Sequence, residues 1–147
     1  MQNLPDLCIL SAGYGSRMGF YSDFVNKALL SIGGKAVISH IIDNVKCNKI
    51  IVACGFKSDS LKEYLLAAHS DKNFVFVDVD NWNKKGSGPG YSLYCCKKFL
   101  KNKFYIVTSD SLITSKLPSI KYDWIGIKKV QDIENYSTCK IDNKLNL

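Results

Sequence analysis

The stretch Leu7-Cys8-Ile9-Leu10-Ser11-Ala12-Gly13-Tyr14-Gly15-Ser16-Arg17-Met18-Gly19 decides the fold. Its first six residues form a short apolar run without polar alternation. That is how a strand covered on both faces of a parallel sheet reads. Glycines then interrupt the run, and a glycine-rich turn at the end of such a strand lets backbone N–H groups approach an anion closely. Arg17 adds a planar, fork-shaped cation. It is the chain's single arginine; the other 19 of the 20 basic residues are lysine. Placing the one guanidinium at this turn points to a bidentate phosphate contact.

Outward from this stretch, strands and helices alternate. Residues 36–45 carry Val37, Ile38, Ile41, Ile42 and Val45 at helical spacing, and 49–54 is a second buried strand stopped by Gly55. Residues 59–68 form a helix with Ser58 or Asp59 as cap and Leu61, Tyr64, Leu65 and Ala68 on one face. Residues 74–79 make a third strand, 81–90 a polar, glycine-rich loop, 91–100 a helix, and 103–108 a fourth buried strand ending at Ser109-Asp110. Trp124-Ile125-Gly126-Ile127 reads as a fifth strand. The alternation implies right-handed βαβ units in an α/β, Rossmann-like, doubly wound and mostly parallel sheet, one domain over 1–147. Residues 136–147 pattern as a hairpin whose return strand has barely begun, so the chain is read as C-terminally truncated.

Composition narrows the function. The chain has 147 residues, 46% hydrophobic and 22% charged, the profile of one soluble domain. No apolar run approaches the roughly 20 residues that span a bilayer, so no membrane partner is expected. No basic residue precedes the first apolar run, which argues against a secretory signal and for the cytoplasm. A net charge of +7 raises the question of nucleic acid. Yet the lysines are scattered in runs no longer than two, and Arg17 alone supplies the kind of fork with which nucleic-acid readers contact phosphate and guanine. Small anions suit this chain better than a nucleic-acid polymer. Six cysteines show no C-x-x-C spacing, and Cys8 and Cys54 lie in apolar runs, so reduced core thiols are expected.

In open α/β sheets ligands bind outside the carboxyl ends of the strands. Loops 12–19, 81–90 and 109–112 converge there. The first loop is not a Walker A motif, because no Gly-Lys-Ser/Thr follows. It is not a dinucleotide fingerprint either, since Met18 occupies the third glycine position and Cys54-Gly55 ends the second strand without an acid for a ribose.

A longer pattern is present. Leu10-Ser11-Ala12-Gly13-Tyr14-Gly15-Ser16-Arg17-Met18, then Asn26-Lys27-Ala28-Leu29-Leu30, then Ile32-Gly33-Gly34-Lys35-Ala36-Val37 resembles the signature of the sugar-nucleotide and phosphocholine nucleotidyltransferase superfamily. There the pattern runs L-A-A-G-x-G-(S/T)-R, P-K-x-L, G-x-K-P-(L/I). Ile51-Val52-Ala53-Cys54-Gly55-Phe56-Lys57, Gly90-Tyr91-Ser92-Leu93-Tyr94 and Tyr105-Ile106-Val107-Thr108-Ser109-Asp110 are similar to segments of its cytidylyltransferases.

The resemblance implies a cytidylyltransferase-like enzyme that takes CTP or another NTP, transfers the NMP unit to a small phosphorylated acceptor and releases pyrophosphate. Phosphocholine-like, phosphoglutamine-like and sugar 1-phosphate acceptors all fit, in the service of surface polysaccharide decoration. It implies that Leu10, Ala12, Gly13, Gly88 and Ser92 lie around the base and ribose. Gly15, Ser16 and Arg17 would cradle the β- and γ-phosphates, and Lys27 would reach the α-phosphate. Arg17 and Lys27 are thus the catalytic candidates, and Asp110 the ligand of a Mg²⁺ cofactor. The second metal-binding acid and much of the acceptor pocket of that superfamily lie beyond the point where this chain stops. A homodimer is compatible with the resemblance, and a non-catalytic or split nucleotide-binding domain is the alternative to an enzyme.

The chain departs from the pattern at Asn26, where proline precedes the lysine, at Ser109, where glycine often precedes the aspartate, and at Ala36, where proline follows Lys35. None of these removes a functional group, and they are read as drift. His40 and His69 lack partners at ligand spacing and read as structural or surface residues. Trp82 and Trp124 read as packing residues, Lys84-Lys85 as a solvated pair, and Lys35 as a turn residue or a second phosphate ligand.

Overall fold

A computed structural model describes residues 4–131, 134, 139 and 142. In chain order the elements are β1 (Asp6–Ser11), α1 (Tyr21–Phe24), β2 (Ser31–Ile32), β3 (Lys35–Ala36), α2 (Val37–Asn44), β4 (Ile50–Cys54), α3 (Ser58–Ala68), β5 (Phe74–Asp78), α4 (Pro89–Cys96) and β6 (Phe104–Thr108). Short 3₁₀ turns cover Ser16–Met18, Lys27–Leu29 and Lys97–Phe99.

Four strands form one parallel sheet in the order β5-β4-β1-β6, and β2 pairs with β3 as a two-stranded antiparallel ribbon. β1 is central, with Leu7 opposite Ile50 on one side and opposite Tyr105 on the other. Alternation along these strands splits the core in two. Leu7, Ile9, Ile50 and Val52 meet Ile38, Ile41 and Ile42 of α2 and Leu61 and Leu65 of α3. Cys8, Leu10, Ile51 and Ala53 meet Cys96 and Leu93 of α4. Both faces are therefore covered, which explains why β1 and β4 read as continuous apolar runs. Each fully buried leucine or isoleucine contributes about 1.5–3 kcal/mol.

The chain steps from β1 through α2 to β4, and through α3 to β5. It then returns over the opposite face through α4 to β6, on the far side of β1. The winding direction reverses between β1 and β6. The carboxyl ends of those two strands open a crevice of the kind that holds ligands in this class of sheet.

Three expectations are corrected. The fourth strand, β6, is not buried throughout: it lies at the end of the sheet order and leaves Ile106 exposed. Residues 124–127 form no strand: Ile125 and Ile127 are exposed, while the Trp124 ring lies 6.1 Å from that of Tyr105. An apolar run becomes a strand only where a neighbour offers a ladder of hydrogen bonds, and this run acquires none. Helix α3 is capped by neither Ser58 nor Asp59. Lys57, at φ 49°, occupies the N-cap and no side chain bonds the free amides. The hairpin expected over 136–147 lies outside the described residues apart from Cys139 and Asp142. Among the described residues no helix is long and apolar enough to cross a membrane.

Candidate active site

The site is assembled from Asp110, the second residue after β6, and from the segment that follows β1. The glycine turn leaves β1 with Gly15 in the left-handed region at φ 78°. A Cβ on Gly15 would stand 3.3 Å from Cδ of Lys27, so the turn depends on glycine both for its angle and for room beside that lysine. The chain then doubles back. Ser22 Oγ donates to the Gly15 carbonyl at 2.6 Å, and the Tyr14 hydroxyl donates to Asp23. These bonds fold the 20–25 segment against the turn and deliver Lys27 to the crevice.

There the Lys27 ammonium donates to Asp110 Oδ2 at 2.8 Å, joining two positions 83 residues apart. Burial pushes the Asp110 carboxyl up, but the bonds from Lys27 and Thr108 outweigh it and hold it below the usual carboxylate range. The Lys27 side chain is largely covered, whereas Asp110 is half exposed and open to a ligand. Gly15, Ser16, Arg17, Lys27 and Asp110 line one pocket of about 890 Å³, completed by Leu30, Ile32 and Val37. That volume lies within the range of small-molecule sites. Arg17 is exposed at the rim of the pocket and makes no ion pair among the described residues.

The predicted residues therefore divide into two groups. Gly15, Ser16, Arg17, Lys27 and Asp110 come together. The candidates for base and ribose do not line that pocket. The Leu10 side chain is in the core and its carbonyl accepts from Ser109 N at 3.1 Å; the Ala12 carbonyl accepts from Phe56 N at 3.0 Å. Gly13 is exposed beside them. Gly88 is the N-cap of α4, and the buried Ser92 donates its N–H to the Gly88 carbonyl at 3.0 Å. Lys35 is turned to an ion pair with Asp43. His69 is buried, with Nε2 2.8 Å from Ser39 Oγ, and His40 Nε2 lies 2.9 Å from the Ile32 carbonyl. Trp82 packs against Phe56 at 5.5 Å.

Two contributors escaped the sequence reading. Gly55 is more than a strand stop: a Cβ there would lie 2.5 Å from the Ala12 carbonyl oxygen and 2.9 Å from the Trp82 ring. The close approach of the β1 and β4 ends therefore requires glycine at that position. Asn26 is more than drift, because it is fully buried and bonds to three segments. Its position beside Lys27 was the one available signal.

Asp110 offers one hard carboxylate, and no cluster of three or more metal-ligating residues exists among the described residues. One carboxylate suits Mg²⁺, which is commonly held by one or two carboxylates together with substrate phosphates and water.

A model of the MobA-like NTP transferase domain matches residues 7–115. The chain belongs to that family. As an NTP transferase domain it is 26% identical over 146 residues to the bifunctional protein GlmU of Methanococcus vannielii, an alignment covering 95% of this chain and 34% of that protein. The chain thus spans about a third of the length of that relative. It superposes on UDP-glucose pyrophosphorylase complexed with UDP-glucose with a TM-score of 0.63 at 22% identity, over 80% of this chain and 50% of the other. The CTP:phosphocholine cytidylyltransferase of Streptococcus pneumoniae matches with a TM-score of 0.54 at 26% identity, over 73% and 45% of the two chains. The superfamily resemblance and the α/β fold stand on these matches.

Proposed function

We propose that this chain is the nucleotide-binding part of an enzyme that moves an NMP unit from an NTP to a small phosphorylated acceptor. The observation that carries the reading is the Lys27–Asp110 pair, 2.8 Å across the β1/β6 crevice and in one pocket with Gly15, Ser16 and Arg17. A covered ammonium, an exposed guanidinium and a glycine turn form an anion site, and Asp110 beside them suits a hard cation.

In the proposed reaction an oxygen of the acceptor phosphate forms a bond to the α-phosphorus. The bond from that phosphorus to the bridging oxygen breaks, and pyrophosphate leaves with the electron pair. The attacking oxygen is already anionic, so no general base is needed. Lys27 neutralises charge at the α-phosphate, while Arg17 and the turn amides hold the β- and γ-phosphates in line. Mg²⁺, held by Asp110, would supply further charge neutralisation on the phosphate oxygens.

The donor is CTP in this reading. Its support is the likeness of the β4 and α4 segments to cytidylyltransferases and the 26% identity to the pneumococcal one. The acceptor is a sugar 1-phosphate or a phosphocholine-like compound, with surface polysaccharide decoration as its setting. Names among the relatives point both ways, since UDP-glucose pyrophosphorylase is a sugar enzyme and the cytidylyltransferase acts on phosphocholine.

Thermal shift against the four NTPs with Mg²⁺ tests the proposal. CTP should give the largest shift, Arg17→Ala and Asp110→Ala should reduce it, and pyrophosphate should appear once an acceptor is added. An unchanged shift in Arg17→Ala would falsify the phosphate assignment.

A further inference from the structure

We propose that Asn26 is a positioning residue whose carboxamide sets where the Lys27 ammonium stands and ties it to the loop after β4. Its effect on catalysis rests on the phosphate role given to Lys27 above; its effect on Lys27 itself does not.

A carboxamide has two acceptor sites and two donor hydrogens. At Asn26 all four are engaged, in a side chain wholly shielded from solvent. Oδ1 accepts from the Ala28 amide at 3.0 Å and from Ser11 Oγ at 3.3 Å. Nδ2 donates to the Phe56 carbonyl at 2.7 Å and to the Ser11 carbonyl at 3.4 Å. One group thus joins the end of β1, the loop after β4 and the 3₁₀ turn Lys27–Leu29. The adjacent residue is Lys27, whose Nζ bonds to Asp110. Phe56 in turn packs edge-on against Tyr14 of the glycine turn at 4.7 Å. Lys27, the turn and the β4 loop are therefore referenced to one amide.

The backbone alone does not call for asparagine. Asn26 lies at φ −62° and ψ 133°, and Val25 before it is extended at φ −140° and ψ 146°. Proline tolerates both conformations. A proline would keep the angle and remove every bond of the side chain, which separates backbone shape from the hydrogen-bonded link.

The test is competitive acylation of lysines by an amine-reactive ester on the whole chain without nucleotide, read by mass spectrometry. Asn26→Pro should raise Lys27 labelling about fivefold, the equivalent of losing one ordinary hydrogen bond, with the exposed Lys46 and Lys101 unchanged. Asn26→Ser retains an acceptor for the Ala28 amide and should raise it about twofold. If Asn26→Pro does not fold, Asn26→Ser decides. Lys27 labelled at the wild-type rate, or a uniform rise at all lysines, overturns the inference. A parallel arm adds CTP and Mg²⁺ to the wild type. Protection of Lys27 there supports the nucleotide reading, and its absence counts against that reading while the comparison of variants still decides the role of Asn26.

Discussion

An ion pair lies near each end of β1, one made by Asp6 of the strand itself and the other by Lys27 and Asp110 from the segments after β1 and β6, and the two behave differently. At its amino end Asp6 is completely buried; the Lys49 ammonium lies 3.4 Å away, and Asn102 Nδ2 donates to the same carboxylate at 3.4 Å. Lys49 also donates to the Phe99 carbonyl at 3.0 Å. At the carboxyl end Lys27 meets Asp110 at 2.8 Å, but that carboxylate is half exposed and opens into a pocket with Gly15 and Arg17. The chemistry is the same and the surroundings are opposite. A closed pair closes the sheet; an open one can exchange its partner for a ligand. What marks a site is access, not the presence of charge.

The largest expected effect sharpens this contrast at the closed end. Lys49→Met leaves the buried Asp6 carboxylate without its cation and should cost about 3 kcal/mol of stability in urea unfolding. NTP-induced shifts should be unaffected. Lys27→Ala should do the reverse, lowering turnover about a hundredfold, the equivalent of about 3 kcal/mol of transition-state stabilisation. Its stability should change by less than about 1 kcal/mol, as for exposed pairs generally. If both variants lost stability alike, the distinction between the two ends would collapse.

Arg17→Ala should weaken NTP binding about tenfold by titration, in line with the loss of one charge-assisted hydrogen bond, and leave the melting temperature nearly unchanged. Acid titration probes the open pair more gently. Asp110 is held below its ordinary value of 3.8 despite its burial, chiefly by the Lys27 bond. A depressed carboxyl stabilises the fold above its unfolded value, and that stabilisation is lost as pH falls through the folded one. Carboxyl NMR should follow this titration, and Lys27→Ala should move it upward.

The smallest effect concerns the thiols, where closed and open regions differ again. Burial pushes the Cys54 thiol up to about 12, and Cys8 is raised by its contact with Cys96 and by burial. Both should resist iodoacetamide at pH 8, while the exposed Cys139 reacts. Rapid labelling of Cys54 would mean that the sheet opens far more readily than its burial implies.

Unbroken apolar runs were enough to read β1 and β4, because strands covered on both faces must be apolar throughout, and the outer strands β5 and β6 were legible from their aromatic and β-branched residues although they are only partly buried. The same signal misled at 124–127, where a suitable run has no ladder partner. The glycine turn and Arg17 stood out as a candidate phosphate site because phosphate needs close backbone approach and fixed cations, whereas Asp110 was singled out by the family resemblance. Asn26 and Gly55 were not. An asparagine beside a lysine does not announce that its amide will span 30 residues to Phe56, and a glycine after a strand looks like a stop.

The sequence by itself determined which residues are apolar, where the chain turns and which side chains carry charge. Those properties are local, set by period and composition. Only the tertiary structure decided that Lys27 meets Asp110 and that Lys35 turns instead to Asp43. It also decided that Arg17 opens on their pocket while Leu10 and Ala12 spend their carbonyls on neighbouring segments. Pairing between distant residues depends on strand order and on the reversal between β1 and β6, which no short stretch of sequence contains.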